Sequence, residues 1–285
     1  MQYRDSADLD SSQVTTSSRG TGGKVAIGGV GGLVIIVLAL FFGLDPSALL
    51  GASEPEPQQT QAAPNPYAQC RSGADIEANR DCRFVAYTNS IQNYWTKAMP
   101  GYQPTKTHIF TGSVSTGCGT ATSAVGPFYC PVDRVVYLDT GFFNQLMKEL
   151  GAKGGDAAEA YVIAHEYGHH ISNLTGVLGK VQKAGNQTGA NSAQVKLELQ
   201  ADCYAGVWLA NAAKDPNSPI AAVSSDDVLR AADAARSVGD DRIQKRSTGR
   251  VDRESWTHGS AAQRETWLAK GFKTGDPNQC NTFAS

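Results

Sequence analysis

Three residues in one short run have the types and spacing to bind a metal and activate water. They are His165, Glu166 and His169, in His165-Glu166-Tyr167-Gly168-His169. On a helix, residues four apart share a face, so the two imidazoles can meet one ion. Zinc accepts such nitrogen ligands, and hydrolysis needs a base beside the bound water. Glu166 stands about 100° round the helix, within reach of that water. The competing reading is a core helix whose two histidines hydrogen-bond locally. His170 points about 100° away from His169 and is read as structural or exposed.

A catalytic zinc site usually takes three protein ligands and keeps one open position. A third histidine further along the same segment is absent, because Ser172 and Thr175 stand where that pattern would need glycine and histidine. The segment Glu198-Leu199-Gln200-Ala201-Asp202 supplies an alternative. Glu198 can give a carboxylate oxygen to the metal. Asp202, on the same helix face, can accept the remaining ring N–H of a ligand histidine and fix its tautomer. A solvated acidic face is the plainer reading. Leu197, Leu199, Ala201 and Cys203 argue against it, since burying two carboxylates among apolar neighbours is costly without a cation. The expected metal is Zn2+, with His165, His169 and Glu198 as ligands and Glu166 as general base.

These groups need a helical frame. Ala157 to Ala160 lead into the His165 segment, no proline interrupts it, and Gly154-Gly155-Asp156 opens it with Asp156 as expected N-cap. Apolar periodicity predicts further helices over 83–99, 141–150, roughly 192–213 and 225–245, and one beginning near Ser260. Strands are expected at 107–111, 128–129 and 135–138, the last two around an Asp133-Arg134 turn. Residues 118–130 and 172–190 read as loops.

The chain has 285 residues and a net charge of −2. It has no basic stripe, so a nucleic-acid partner is not expected. Residues 1–24 are polar and read as a disordered tail. Residues 25–44 are uncharged and apolar or glycine, about the 20 residues that span a bilayer as a helix. Arg4, Arg19 and Lys24 precede this stretch and no Lys or Arg follows until Arg71. Positive charge stays inside, so the tail is expected to be cytoplasmic and the rest extracytoplasmic. Residues 45–68 hold five prolines among Gln, Ala and Glu and read as a linker. Residues 69–285 form the remaining domain. All six cysteines lie there, which fits an oxidising compartment. Nearest-neighbour pairing gives Cys70–Cys82 and Cys118–Cys130, leaving Cys203–Cys280; Cys203 as a buried thiol is the alternative.

The His-Glu-x-x-His run followed by Glu-x-x-x-Asp resembles the thermolysin-like gluzincins. More closely, the chain resembles the bacterial membrane-anchored neutral zinc metallopeptidase family. The resemblance is carried by residues 126–131, 136–139, 160–170, 198–206 and 257–264. It implies an α+β, mostly helical zincin-like domain with a small β-sheet, here preceded by one transmembrane helix. It also implies a zinc-dependent endopeptidase acting on peptide or protein substrates outside the cytoplasm. By analogy, strand 135–138 would pair with an extended substrate. A downstream histidine would stabilise the transition state; His258 is the only histidine after His170, with Asp252 as the candidate to orient it. A packing role for His258 is the alternative. Two other functions remain open: a non-catalytic zinc-binding module of the cell envelope, and a peptidoglycan amide hydrolase. Oligomeric state is left open.

Overall fold

The computed structural model describes residues 1–17, 65–185 and 187–284. In chain order the elements are β1 (Gln2–Tyr3), β2 (Val14–Thr16), α1 (Asp75–Ala78), α2 (Cys82–Ala98), β3 (Lys106–Phe110), β4 (Ser113–Thr116), β5 (Gly119–Thr122), β6 (Phe128–Cys130), β7 (Val135–Asp139), α3 (Phe142–Lys148), α4 (Asp156–Leu174), α5 (Val177–Lys183), α6 (Ala193–Asn211), β8 (Ile220–Ala222), α7 (Ser225–Ser237), α8 (Asp240–Thr248) and α9 (Ala261–Thr274). Helices dominate and the sheets are small, which is the expected α+β class.

The main sheet has the order β2-β3-β7-β6. β2, β3 and β7 run parallel, and β6 pairs antiparallel with β7. Strand β7 is therefore interior, with a partner on each side. The expectation that 135–138 meets a substrate by backbone pairing is corrected: residues 135–137 are paired on both sides, and β6 is the sheet edge next to β7. A hairpin of β4 and β5 occupies part of the stretch read as loop, and its turn is tied to β6 by Cys118–Cys130. The other disulfides are Cys70–Cys82 and Cys203–Cys280, the pairing that spacing gave.

The N-terminal residues correct a second expectation. Residues 1–17 are not a disordered tail but part of the domain. β1 pairs with β8, and β2 adds to β3 as an outer parallel strand. Ala7, Leu9 and Val14 are buried, Val14 completely. The Asp10 N–H donates to Asn89 Oδ1 at 2.8 Å, and Asn89 Nδ2 donates back to the Asp10 carbonyl at 3.1 Å. The Tyr3 hydroxyl donates to Asp156 Oδ2 at 3.0 Å, and the Met1 ammonium meets Asp227 Oδ1 at 2.6 Å. This packing holds residues 1–17 against the rest of the domain, whereas the expected cytoplasmic N-terminus would be separated from it. The stretch 25–44 and most of the linker 45–68 lie outside the described residues. Among the described residues no helix is long and apolar enough to cross a membrane.

Helix α4 is central and buried along nearly its whole length. It starts at Gly155, whose φ of 97° suits glycine, so Asp156 is the first helical residue and not the cap. Its carboxylate instead binds Arg80 Nη2 at 2.6 Å. Helix α6 is capped by Ser192, whose side chain accepts from the Val195 N–H at 3.1 Å. α4 and α6 approach closely at Gly168, where a β-carbon would lie 2.8 Å from Ala201 Cα. α6 and α9 do the same at Gly271, where it would lie 2.0 Å from the Cys203 carbonyl oxygen. The segment 225–245, read as one helix, is two. It breaks at Gly239, where a β-carbon would meet the Ala261 nitrogen at 2.3 Å. That break turns the start of α8 towards the N-terminus of α9.

Candidate metal centre

The close contact at Gly168 sets the site. It brings the His165 face of α4 against the Glu198 face of α6. His165, His169 and Glu198 are buried, and their ligand atoms lie within 4.8 Å of one another. Glu198 Oε2 is 3.2 Å from His165 Nε2 and 3.5 Å from His169 Nε2. Two imidazole nitrogens and one carboxylate oxygen facing a common point are the donor set that zinc takes in hydrolases, so the residues present fit this metal.

Asp202 takes the place expected of it: its Oδ1 accepts from His165 Nδ1 at 2.8 Å. That bond leaves Nε2 to face the metal point. Asp202 itself is held by residues that sequence reasoning did not single out. Arg264, from the first turn of α9, donates Nε to Oδ2 and Nη2 to Oδ1, both at 2.9 Å. The Tyr161 hydroxyl donates to Oδ1 at 2.6 Å. Both side chains are buried. Gln194, one turn before Glu198, donates Nε2 to Glu198 Oε1 at 2.9 Å. Position four before a ligand on the same helix was the available signal for Gln194. For Arg264 the signal was its place at the end of the 257–264 stretch, but no spacing ties it to Asp202, because α9 meets that residue through tertiary packing.

The charges are strongly coupled. Burial pushes the His165 imidazole down, but Asp202 and Glu198 push it further up, to about 10. Burial pushes Asp202 up, but Arg264 and His165 hold it at about 2. Burial also pushes Glu198 up, but His169, His258 and His165 hold it well below the usual carboxylate range. Glu198 and Asp202 are thus both held towards the charged form. Glu166 differs: burial raises its carboxyl and dominates over the nearby histidines. A carboxyl raised in this way is suited to receiving and releasing a proton.

Glu166 lines a cavity of about 660 Å³ together with His165, His169, Glu198, His258 and Arg264. Val125, Phe128, Phe142, Val162, Val238 and Ile243 form its apolar wall. His258 therefore faces the same cavity. Its orienting partner is Asp240, which corrects the suggestion of Asp252. Asp240 Oδ2 accepts from the backbone N–H groups of Thr257 at 2.9 Å, His258 at 2.7 Å and Gly259 at 2.9 Å. Its Oδ1 lies 3.7 Å from His258 Nδ1. Asp252 instead caps a short turn by accepting from the Glu254 N–H at 3.1 Å. Nδ1 also bonds the Thr257 hydroxyl at 2.8 Å, so Nε2 is the ring nitrogen left for the cavity. Burial pushes the His258 ring down, but Glu198 and Asp240 raise it overall. His170 is buried, bonded to the Tyr129 hydroxyl at 2.9 Å and the Gln103 carbonyl at 2.7 Å, and is structural.

Comparison with known proteins agrees with this geometry. The model of a family described as "Putative neutral zinc metallopeptidase" matches residues 2–283. The uncharacterized protein Rv2575 of Mycobacterium tuberculosis is 47% identical over 253 residues, covering 87% of this chain and 85% of that one. The uncharacterized protein YpfJ of Escherichia coli K12 is 38% identical over 262 residues, covering 90% and 87%. No solved structure matches the chain.

Proposed function

The chain belongs to the neutral zinc metallopeptidase family, and we propose that it is a zinc-dependent endopeptidase that hydrolyses peptide bonds in the cavity beside α4. One observation carries this reading. Three buried ligand atoms converge on one point, and Glu166 faces the same cavity without serving as one of them. A module that only stores or displays zinc gives no role to that carboxyl.

His165, His169 and Glu198 would hold the ion, and zinc supplies a Lewis acid and a water of pKa about 7. Glu166 takes a proton from the attacking water and passes it to the leaving amine. His258 presents Nε2 towards the oxygen that gains negative charge, with Asp240 holding its loop. β6 is the edge strand beside the cavity, and its Phe128 forms part of the cavity wall. An extended peptide adding to that edge would be fixed along the site by main-chain hydrogen bonds. The three disulfides support action outside the cytoplasm. The apolar stretch 25–44 supports association with a membrane.

The test compares the wild-type protein with Glu166→Gln on a peptide library, with metal content measured in parallel. The expected result is about one zinc per chain in both, as a three-ligand site requires, and cleavage by the wild type alone. Wild-type protein that holds zinc and cleaves no peptide would sink the reading.

A further inference from the structure

Glu198 has two carboxylate oxygens, and the structure treats them differently. Oε2 faces His165 Nε2 and His169 Nε2. Oε1 accepts from Gln194 Nε2 at 2.9 Å. The carboxylate can only accept, so the Gln194 amide must present its N–H₂ and not its oxygen. Both side chains sit in the interior: Glu198 is 1% exposed and Gln194 8% exposed. In such surroundings a hydrogen bond to a carboxylate is strong, and an unpaired carboxylate oxygen is costly.

We propose that Gln194 is a positioning residue for zinc: its amide engages Glu198 Oε1, fixes the carboxylate plane and commits Oε2 as the single ligand oxygen. This rests on the zinc peptidase reading above. Gln194 acts through Glu198, to which its amide is hydrogen-bonded. It lies one helical turn before Glu198, and Ser192 caps the helix just ahead of it, so the amide is held by the first turn of α6. A carboxylate free to rotate would offer both oxygens to the ion and take up a position that water needs.

The chain also offers Gln194 a second role, since it lines a small cavity with Phe128, Glu166 and His169. Direct contact with substrate from that wall is the rival reading, and the test separates them. Zinc affinity of the full-length protein is measured by competition against a chromophoric chelator, for wild type, Gln194→Leu and Gln194→Met. Melting of each stripped protein is recorded alongside. Both variants should bind zinc about 10-fold more weakly or worse, with melting of the stripped proteins close to wild type. X-ray absorption at the zinc edge should show added oxygen ligation in the variants. Wild-type affinity in both variants overturns the proposal, as does a raised KM at unchanged zinc affinity, which would assign Gln194 to substrate. Affinity loss that only follows a loss of melting temperature in both variants also overturns it. Absence of zinc binding by the wild type would instead remove the peptidase reading itself.

Discussion

Replacing Gly168 by alanine tests how the site is assembled. The new methyl would lie 2.8 Å from Ala201 Cα, 2.9 Å from its carbonyl oxygen and 3.0 Å from its Cβ. Carbon atoms rest at about 3.5–4.0 Å, so α6 must retreat by roughly 0.7–1.2 Å. Ala201 lies between Glu198 and Asp202, and the retreat carries both away from His165 and His169. Metal sites tolerate about 0.2 Å in ligand distance, so the displacement is several times what the site can absorb. Stability is the weaker readout. Overpacking costs about 1–3 kcal/mol, while alanine in a helix interior regains about 0.5–1 kcal/mol over glycine. The net loss is roughly 0–2.5 kcal/mol, or a few degrees of melting temperature. Zinc affinity should fall by about 100-fold, the upper end of what displaced ligand partners cause. Chelator competition measures it, with Gly179→Ala as control, because a β-carbon at Gly179 on α5 meets nothing within 4 Å. A folded Gly168→Ala protein with wild-type zinc affinity would refute the close-approach argument.

Further outcomes follow from the same geometry. His258→Ala should keep its zinc and its fold and lose about 10²–10³ in kcat with little change in KM; near-normal turnover in a stable variant assigns His258 to packing. Asp240 is pushed up by burial but lowered overall by His258 and by the backbone N–H groups of His258 and Thr257. Its stabilising charge is therefore fully present above its unfolded pKa of about 3.9 and is lost as pH falls through the lower folded value. The melting-temperature gap between wild type and Asp240→Asn should be widest near pH 6 and close in acid below about pH 4; a gap independent of pH contradicts this role. Val14→Asp would place a carboxylate at a position with 0% exposure. Burying it costs about 3 kcal/mol or more, so melting should drop by roughly 6–12 °C, whereas a disordered tail predicts no change.

The metal centre was legible because its signal is local. His165 and His169, like Glu198 and Asp202, are pairs four apart, and helical geometry alone puts each pair on one face. The groups that hold the pairs were not legible. Asp240 reaches His258 from the start of another helix, and Arg264 reaches Asp202 across the α6–α9 contact. No spacing rule connects them. The helix over 225–245 was drawn too long because its apolar pattern continues through Val238; only the contact between Gly239 and Ala261 shows why the chain turns there. The N-terminal strands escaped notice because β1 has two residues and β2 has three, too few for alternation to register. Their few buried apolar side chains stand among Ser, Thr and Asp, a composition that resembles an unfolded segment.

The place where the first seventeen residues dock constrains how the protein can meet a bilayer. Asn65 Nδ2 donates to the carbonyl of Val14 at 2.7 Å, so the chain leaves the domain and returns to it at nearly the same point. Val14 and Asn65 therefore lie on the same side of any bilayer that the domain does not itself enter. A helical crossing takes about 20 apolar residues, and the sequence between these two residues contains one such stretch, 25–44. A single crossing and docked N-terminal strands are therefore alternative states of this chain. If 25–44 crossed once, β2 would be on the other side of the lipid. β3 would then face solvent as a raw sheet edge, with a row of unpaired N–H and C=O groups open to any strand that could replace the one withdrawn.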